Sequence, residues 1–220
     1  MVLSRVLILS DSLNLPRATP DSLLLEETWP YRLRYAFEGF EFWQVTQGGV
    51  TTTDLLNISR CWLHSSHSPS WMIVQVGIVD WAPRAFKDDE VFSQRLLAKF
   101  TRLFPSAGKA IFEALRRRRQ ITYVDDACFR ANVRAFRELA ELHECSLIWV
   151  PVLGAGFYEN ILPGVSRKIR EANQILDEEL GGCVLDVRLP DNHFMSDGHH
   201  LKPEGHAMLL EKISTFICNG

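Results

Sequence analysis

Val2-Leu3-Ser4-Arg5-Val6-Leu7-Ile8-Leu9-Ser10-Asp11-Ser12 is the stretch on which the fold turns. Residues 6–9 are apolar without a break. A strand with one wet face alternates apolar and polar side chains, whereas one buried on both faces reads as a continuous run. Helices on both sides of a parallel sheet produce that double burial. Ser10-Asp11-Ser12 then stands at the strand's carboxyl end, the edge where open α/β sheets build their sites. A serine there can present its hydroxyl as a nucleophile. It can equally cap the turn that follows, as Ser10 and Asp11 can.

Working outward, further strand-like segments fall at residues 40–45, 71–76, 146–152 and 183–187, and the first strand at 2–9. Helix-like segments at 30–37, 53–63, 89–104, 107–119, 129–143, 165–180 and 203–217 lie between them. Pro203 suits a first helical turn, and Ala207, Leu210, Ile213 and Ile217 form an apolar stripe behind it. The alternation predicts an α/β three-layer sandwich on a mainly parallel sheet. With 220 residues, one domain spanning 1–220 is expected. Residues 82–124 exceed what a single crossover needs, so we read them as a helical insertion near the active-site edge.

Composition narrows the function. A net charge of −3 argues against nucleic acid as the main partner. Apolar runs such as 147–150 are far too short to span a bilayer. Only residues 1–5 precede the first apolar run and Asp11 follows it at once, which is not a signal peptide, so a cytoplasmic location is expected. The five cysteines are odd in number and never form a C-x-x-C pair, which predicts reduced, mostly buried thiols.

Near the other end of the chain lies Ser196-Asp197-Gly198-His199-His200. Three residues of separation let Asp197 reach the Nδ1 of His200, leaving Nε2 to take a proton from Ser12. His199 competes for that role, and spacing favours His200. Asp191, His193 and His206 are nearby, but no spaced metal-ligand motif appears, so no metal is assigned. Gly48-Gly49 follows the second strand, where a glycine lets backbone approach a ligand and offer an N–H. Gly77-Ile78-Val79-Asp80 follows the third, and Asp80, Trp81 and Arg84 are expected to line the pocket. Trp71 and Trp149, within strands, are expected in the core. Arg116-Arg117-Arg118-Arg119 could grip an acidic polysaccharide or a phosphate, but is read first as a solvated helix end whose cations suit the dipole.

These four segments, in this order, resemble the SGNH hydrolases, also called GDSL-type esterases and lipases. Ser10-Asp11-Ser12 is similar to the family's Gly-Asp-Ser block, Gly49 to its second-block glycine, 77–80 to its Gly-x-Asn-Asp block and 197–200 to its Asp-x-x-His block. Thr28-Trp29-Pro30 and Asn173 add to the likeness. The resemblance implies a flavodoxin-like five-stranded sheet of order 2-1-3-4-5 and a serine esterase that needs no cofactor. It implies a triad of Ser12, Asp197 and His200, with an oxyanion hole from the N–H groups of Ser12 and Gly49. The substrate implied is a small-molecule or carbohydrate ester, most plainly an O-acetyl sugar, because no long apolar lid-like segment stands out for a lipid. An O-acyltransferase with the same triad and a weakened binding module are the alternatives. Two positions depart from the family: Ser10 replaces its glycine, and Val79 replaces the asparagine that donates to the oxyanion. Asn14, Gln47, Trp81 and Arg84 are the candidates to replace that donor.

Overall fold

The computed structural model describes residues 4–63, 68–87 and 89–219; the expected start of the first strand at residue 2 lies outside them. Four parallel strands form the sheet in the order β2-β1-β3-β4: β1 (Ser4–Ser10), β2 (Phe40–Thr46), β3 (Trp71–Gln75) and β4 (Ser146–Trp149). Central β1 pairs with β2 from Ser4↔Phe40 to Ser10↔Thr46 and with β3 from Val6↔Trp71 to Ser10↔Gln75.

The continuous apolar run of β1 divides between two cores because successive side chains point to opposite faces. Leu7 and Leu9 join Met72, Val74, Leu147 and Trp149 on one side. There they meet Leu55 of α2 (Thr52–Leu63), Phe129, Val133 and Phe136 of α6 (Asp126–Leu142), and Leu176 of α8 (Val165–Leu180). Val6 and Ile8 join Ile73, Ile148 and Val150 on the other, against Trp29 and Leu33 of α1 (Trp29–Ala36) and Leu209 and Ile213 of α9 (Pro203–Asn219). Each such side chain, fully removed from water, contributes roughly 1.5–3 kcal/mol before entropy. All seven helices expected from the sequence are present, with ends shifted by up to three residues. Asp125 caps α6 by accepting from the Cys128 N–H at 2.8 Å.

The fifth expected strand is reduced to a single rung. Leu185 N–H donates to the Trp149 carbonyl at 2.9 Å, and Trp149↔Val184 is an isolated parallel bridge. The next rung of a parallel ladder would need an N–H from residue 151, and Pro151 has none. Leu185 and Val187 are still buried beside β4 with Asp186 and Arg188 outward, so the segment packs like a strand without bonding like one.

Residues 82–124 contain α4 (Val91–Leu103) and α5 (Pro105–Arg119), packed as a hairpin. Arg84 and Ile121 bridge its base, and Arg119 pairs with Glu90 across it at 2.7 Å. No residue of α4 is buried, and Phe92, Leu96, Leu103 and Phe104 face solvent. The sequence hides this face because α4 has ordinary amphipathic spacing, and only packing shows that no core receives it. A hollow of about 720 Å³ lies in the hairpin, walled by Phe86, Leu97, Phe112 and Tyr123. The cysteines need a correction too: Cys61, Cys128 and Cys218 are exposed and Cys145 is buried, all unbridged. Trp149 is fully buried as expected, whereas Trp71 is half-buried and packs edge-on to Phe216.

Asn173 on α8 secures the chain just past β4. Its Oδ1 accepts from the Val152 N–H at 2.8 Å and its Nδ2 donates to the Val152 carbonyl at 2.9 Å. Asn173→Ala removes both partners from a buried backbone site and is expected to lower unfolding free energy by about 2–4 kcal/mol in urea titration.

Candidate active site

The carboxyl ends of β1 and β3 and the loops after them assemble the site. Asp11 terminates β1 and caps a short 3-10 turn, Ser12–Asn14, by accepting from the Leu13 N–H at 2.9 Å. This turn carries Ser12 out of the sheet to the floor of a cleft of about 340 Å³. Arg17 Nη2 donates to the Ser12 carbonyl at 2.7 Å and holds the turn from the far side. Beneath it, Gln75 Oε1 accepts from Asn14 Nδ2 at 2.8 Å and from Trp29 Nε1 at 2.7 Å. A buried amide thus joins β3, the 3-10 turn and α1.

Residues 194–201 form the opposite wall as a tight turn. Phe194 and Leu201 bridge, Met195 N–H donates to the His200 carbonyl at 2.8 Å, and Ala155 N–H donates to the Gly198 carbonyl at 2.8 Å. Gly198 has φ +82°, and a Cβ there would stand 2.8 Å from Tyr158 Cβ, so both conformation and space demand glycine. Asp197 Oδ1 accepts from the His200 N–H at 3.1 Å, while Oδ2 accepts from His200 Nδ1 at 2.6 Å. With Nδ1 donating to a carboxylate, Nε2 is the unprotonated nitrogen, and it faces Ser12 Oγ at 3.4 Å. Ser12, Asp197 and His200, 185 or more residues apart at their extremes, therefore meet in one hydrogen-bonded chain.

Burial acts to raise the Asp197 carboxyl, but the His200 hydrogen bond and the adjacent imidazoles outweigh it and hold it well below the ordinary carboxylate range. His199 flanks this chain: its N–H donates to Asp197 Oδ1 at 3.2 Å, its ring stacks on Tyr158 at 5.2 Å, and burial, with His200 beside it, pushes it down to about 4. Asp197, His199 and His200 could together offer three metal-ligand atoms. The 2.6 Å bond between Asp197 and His200 is a short charge-assisted hydrogen bond, and a cation bound by both of these atoms would have to displace its proton. The other nearby groups point elsewhere: Asp191 accepts from the Gly156 N–H, and His206 Nδ1 accepts from the Trp29 N–H.

Gly49 has φ +75° and is exposed, while Gly48 beside it turns toward Ser12; a Cβ on Gly48 would lie 3.9 Å from Ser12 Cβ. The peptide between the two glycines thus borders Ser12. Val79 lines the cleft from α3 (Ile78–Trp81), a single turn of helix.

That turn overturns two expected pocket residues. It swings Asp80 and Trp81 inward, and both are fully buried. Asp80 accepts from the Thr52 N–H at 2.9 Å and from its hydroxyl, tying α3 to the start of α2. Trp81 packs edge-on to Phe129 at 5.3 Å under Lys168. Arg84 does line the cleft. Of the four candidate replacement donors, Asn14 and Trp81 are buried in the interior, and Arg84 alone lines the cleft. Tyr158 and Ile161, at the two ends of α7 (Tyr158–Ile161), are lining residues that escaped the sequence reading, and Arg116 lines the cleft although its run was read as solvated. Arg116 sat in plain view within the arginine run, but its direction depends on how α5 docks.

No protein-family model matches the chain, and no curated protein is significantly similar to it. Solved structures are similar over nearly the whole length. The lipase/acylhydrolase from Enterococcus faecalis aligns with a TM-score of 0.62 at 15% identity, covering 98% of this chain and 95% of that one. An acetyl xylan esterase, AlAXEase, aligns with a TM-score of 0.62 at 12% identity over 97% and 99% of the two chains. A carbohydrate acetylesterase family member from Sinorhizobium meliloti gives 0.59 at 13% identity over 98% and 97%.

Asp11 supplies a pH test of this edge. Its burial pushes its carboxyl up to about 7, against a cap bond and Arg17 that act to lower it. The folded state therefore holds the proton longer than the unfolded chain, so the contribution of Asp11 to stability is fullest below about pH 4 and is lost as pH rises through 7. Asp11→Asn keeps a cap oxygen without the charge. It is expected to stabilise the fold by on the order of 2 kcal/mol at pH 8, with the gain vanishing near pH 4, read from thermal melts across that range.

Proposed function

Because this chain has the fold of the SGNH hydrolases, we propose that it is a serine ester hydrolase with Ser12 as nucleophile, His200 as base and Asp197 as the group that orients His200. The observation that carries the reading is the chain of contacts from Ser12 Oγ to His200 Nε2 at 3.4 Å and from His200 Nδ1 to Asp197 at 2.6 Å. A loose nucleophile–base contact is usual before substrate binds.

In this reading Ser12 Oγ attacks the acyl carbon while His200 Nε2 takes its proton. The N–H groups of Ser12 and Gly49 stabilise the oxyanion. Collapse expels the alcohol, which receives the proton from His200, and leaves the acyl group on Ser12. Water, deprotonated by His200, then releases the acid and restores the serine. Asp197 stays ionised throughout, consistent with its depressed titration. The chain's own residues supply every group in this sequence, so no cofactor is required. The substrate is a small-molecule or carbohydrate ester bearing a short acyl group. The acetylesterases among the similar structures and the modest cleft of about 340 Å³ support that choice. The single-domain reading of 1–220, with 82–124 as an insertion at the site, accompanies it.

A fluorophosphonate probe tests the proposal without a guess at substrate. Wild type is expected to label strongly, and Ser12→Ala and His200→Ala are expected to lose labelling. Folded wild type that does not label would sink the hydrolase reading.

Val79 favours a second reading, a weakened module that binds more than it turns over, because valine cannot donate to an oxyanion. Loss of one such donor costs about 100- to 1,000-fold in kcat. Val79→Asn is expected to raise turnover of 4-nitrophenyl acetate by about tenfold or more. An unchanged kcat would show that another group already fills the role.

A further inference from the structure

We infer that Arg84 and Arg116 form an oxyanion-binding subsite in the cleft, so that the ester processed at Ser12 carries a carboxylate or phosphate group. The inference rests on the hydrolase reading above and names its substrate class.

Both arginines line the same cleft as Ser12, Asp197, His199 and Tyr158. They arrive from different parts of the hairpin, Arg84 at its base and Arg116 from the last turn of α5. Each is fixed. Arg84 exchanges backbone hydrogen bonds with Ile121 at 2.7 and 3.3 Å, and its guanidinium lies 4.3 Å over the Tyr123 ring. Arg116 lies 4.6 Å over the Phe112 ring. Its carbonyl accepts from Gln120 Nε2, which also donates to the Pro163 carbonyl at 2.9 Å and so ties the end of α5 to the loop before α8. Stacking occupies the flat face of a guanidinium and leaves its N–H edge available, the edge that grips carboxylate or phosphate in two-pronged fashion.

Neither edge is satisfied within the protein. The Nε atoms of Arg84 and Arg116 are both buried and lack a hydrogen-bond partner among the described residues. Neither guanidinium pairs with a carboxylate among those residues. Their neighbour Arg119, by contrast, holds Glu90 with both terminal nitrogens at 2.7 Å. Glu113, one turn before Arg116, stands 4.0 Å from Lys109 instead. Asp197 is the one carboxylate lining the cleft, and His200 engages it. Two cations thus face one cavity; burial and Arg84 lower the Arg116 guanidinium, against the nearby Glu113 carboxylate, which acts to raise it. Half-buried, unpaired like charges are costly, and an incoming anion relieves that cost.

The test compares matched pairs. Acetylated glucuronate against acetylated glucose places the acid on the alcohol side, and 4-nitrophenyl hemisuccinate against 4-nitrophenyl acetate places it on the acyl side. The acidic member of at least one pair is expected to have the higher kcat/KM by about tenfold or more, the size set by a charge-assisted hydrogen bond. Arg84→Gln and Arg116→Gln should each collapse that ratio, and Arg116→Lys should restore part of it. Because the ratio is taken within one variant, a general loss of activity does not mimic the result. Calorimetric titration of wild type with glucuronate, inorganic phosphate and glucose reads the subsite without catalysis. Binding of either anion but not glucose, lost in Arg116→Gln, upholds the subsite even if the fluorophosphonate probe fails to label Ser12. Glucuronate alone binding assigns a carboxylate, and phosphate alone assigns a phosphate. Equal kcat/KM within both pairs, together with no anion binding, overturns the inference while leaving probe labelling to judge the hydrolase reading separately.

Discussion

Strand β1 is bonded on both edges, to β2 and β3, and buried on both faces. That constraint organises everything else. A strand so placed cannot shift register without exposing Leu7 and Leu9 or Val6 and Ile8 to the wrong layer. Its end at Ser10 is therefore an accurately located point in space, and Ser12 lies two residues past it. The meeting of Ser12 with His200, 188 residues away, gains its precision from this anchored strand.

Beneath the reactive edge is a polar layer rather than an apolar one. Asp11 caps the turn under Ser12, Gln75 receives Asn14 and Trp29, and Asp80 receives Thr52. Burying these groups has a cost, visible in the raised titration of Asp11 and Asp80, to about 7 and about 6. What they provide is orientation: each fixes a strand-end loop whose backbone no ladder continues to hold. A site made of loops is kept rigid here by side-chain amides and carboxylates standing in for the missing rungs.

The hairpin of α4 and α5 is added at the side of this frame. Through Arg84 and Arg116 it contributes the far wall of the cleft, while α4 leaves its apolar side to solvent. Among the described residues no helix is long and apolar enough to cross a membrane.

Much of this was legible in the chain because the relevant physics is local. Continuous apolar runs separated by amphipathic segments dictate a parallel sheet between helices, and three-residue spacing in one turn suffices to bring Asp197 to His200. The pairing of that turn with Ser12 followed from both lying at the same sheet edge. Long-range packing decided the rest. Asp80 and Trp81 read as pocket residues, but one turn of helix reversed them into the core. Arg116 read as a solvated cation, but the docking of α5 turned it into the cleft. The fifth strand had the right side chains, yet Pro151 on its neighbour denied it a rung. The sequence by itself determined the layers and the Asp197–His200 pair, since these depend on periodicity and short spacing, while the strand order around β1 was implied by the family resemblance. Only the tertiary structure decided which side chains face the cleft, because a side chain's direction depends on helix rotation and docking against elements distant in sequence.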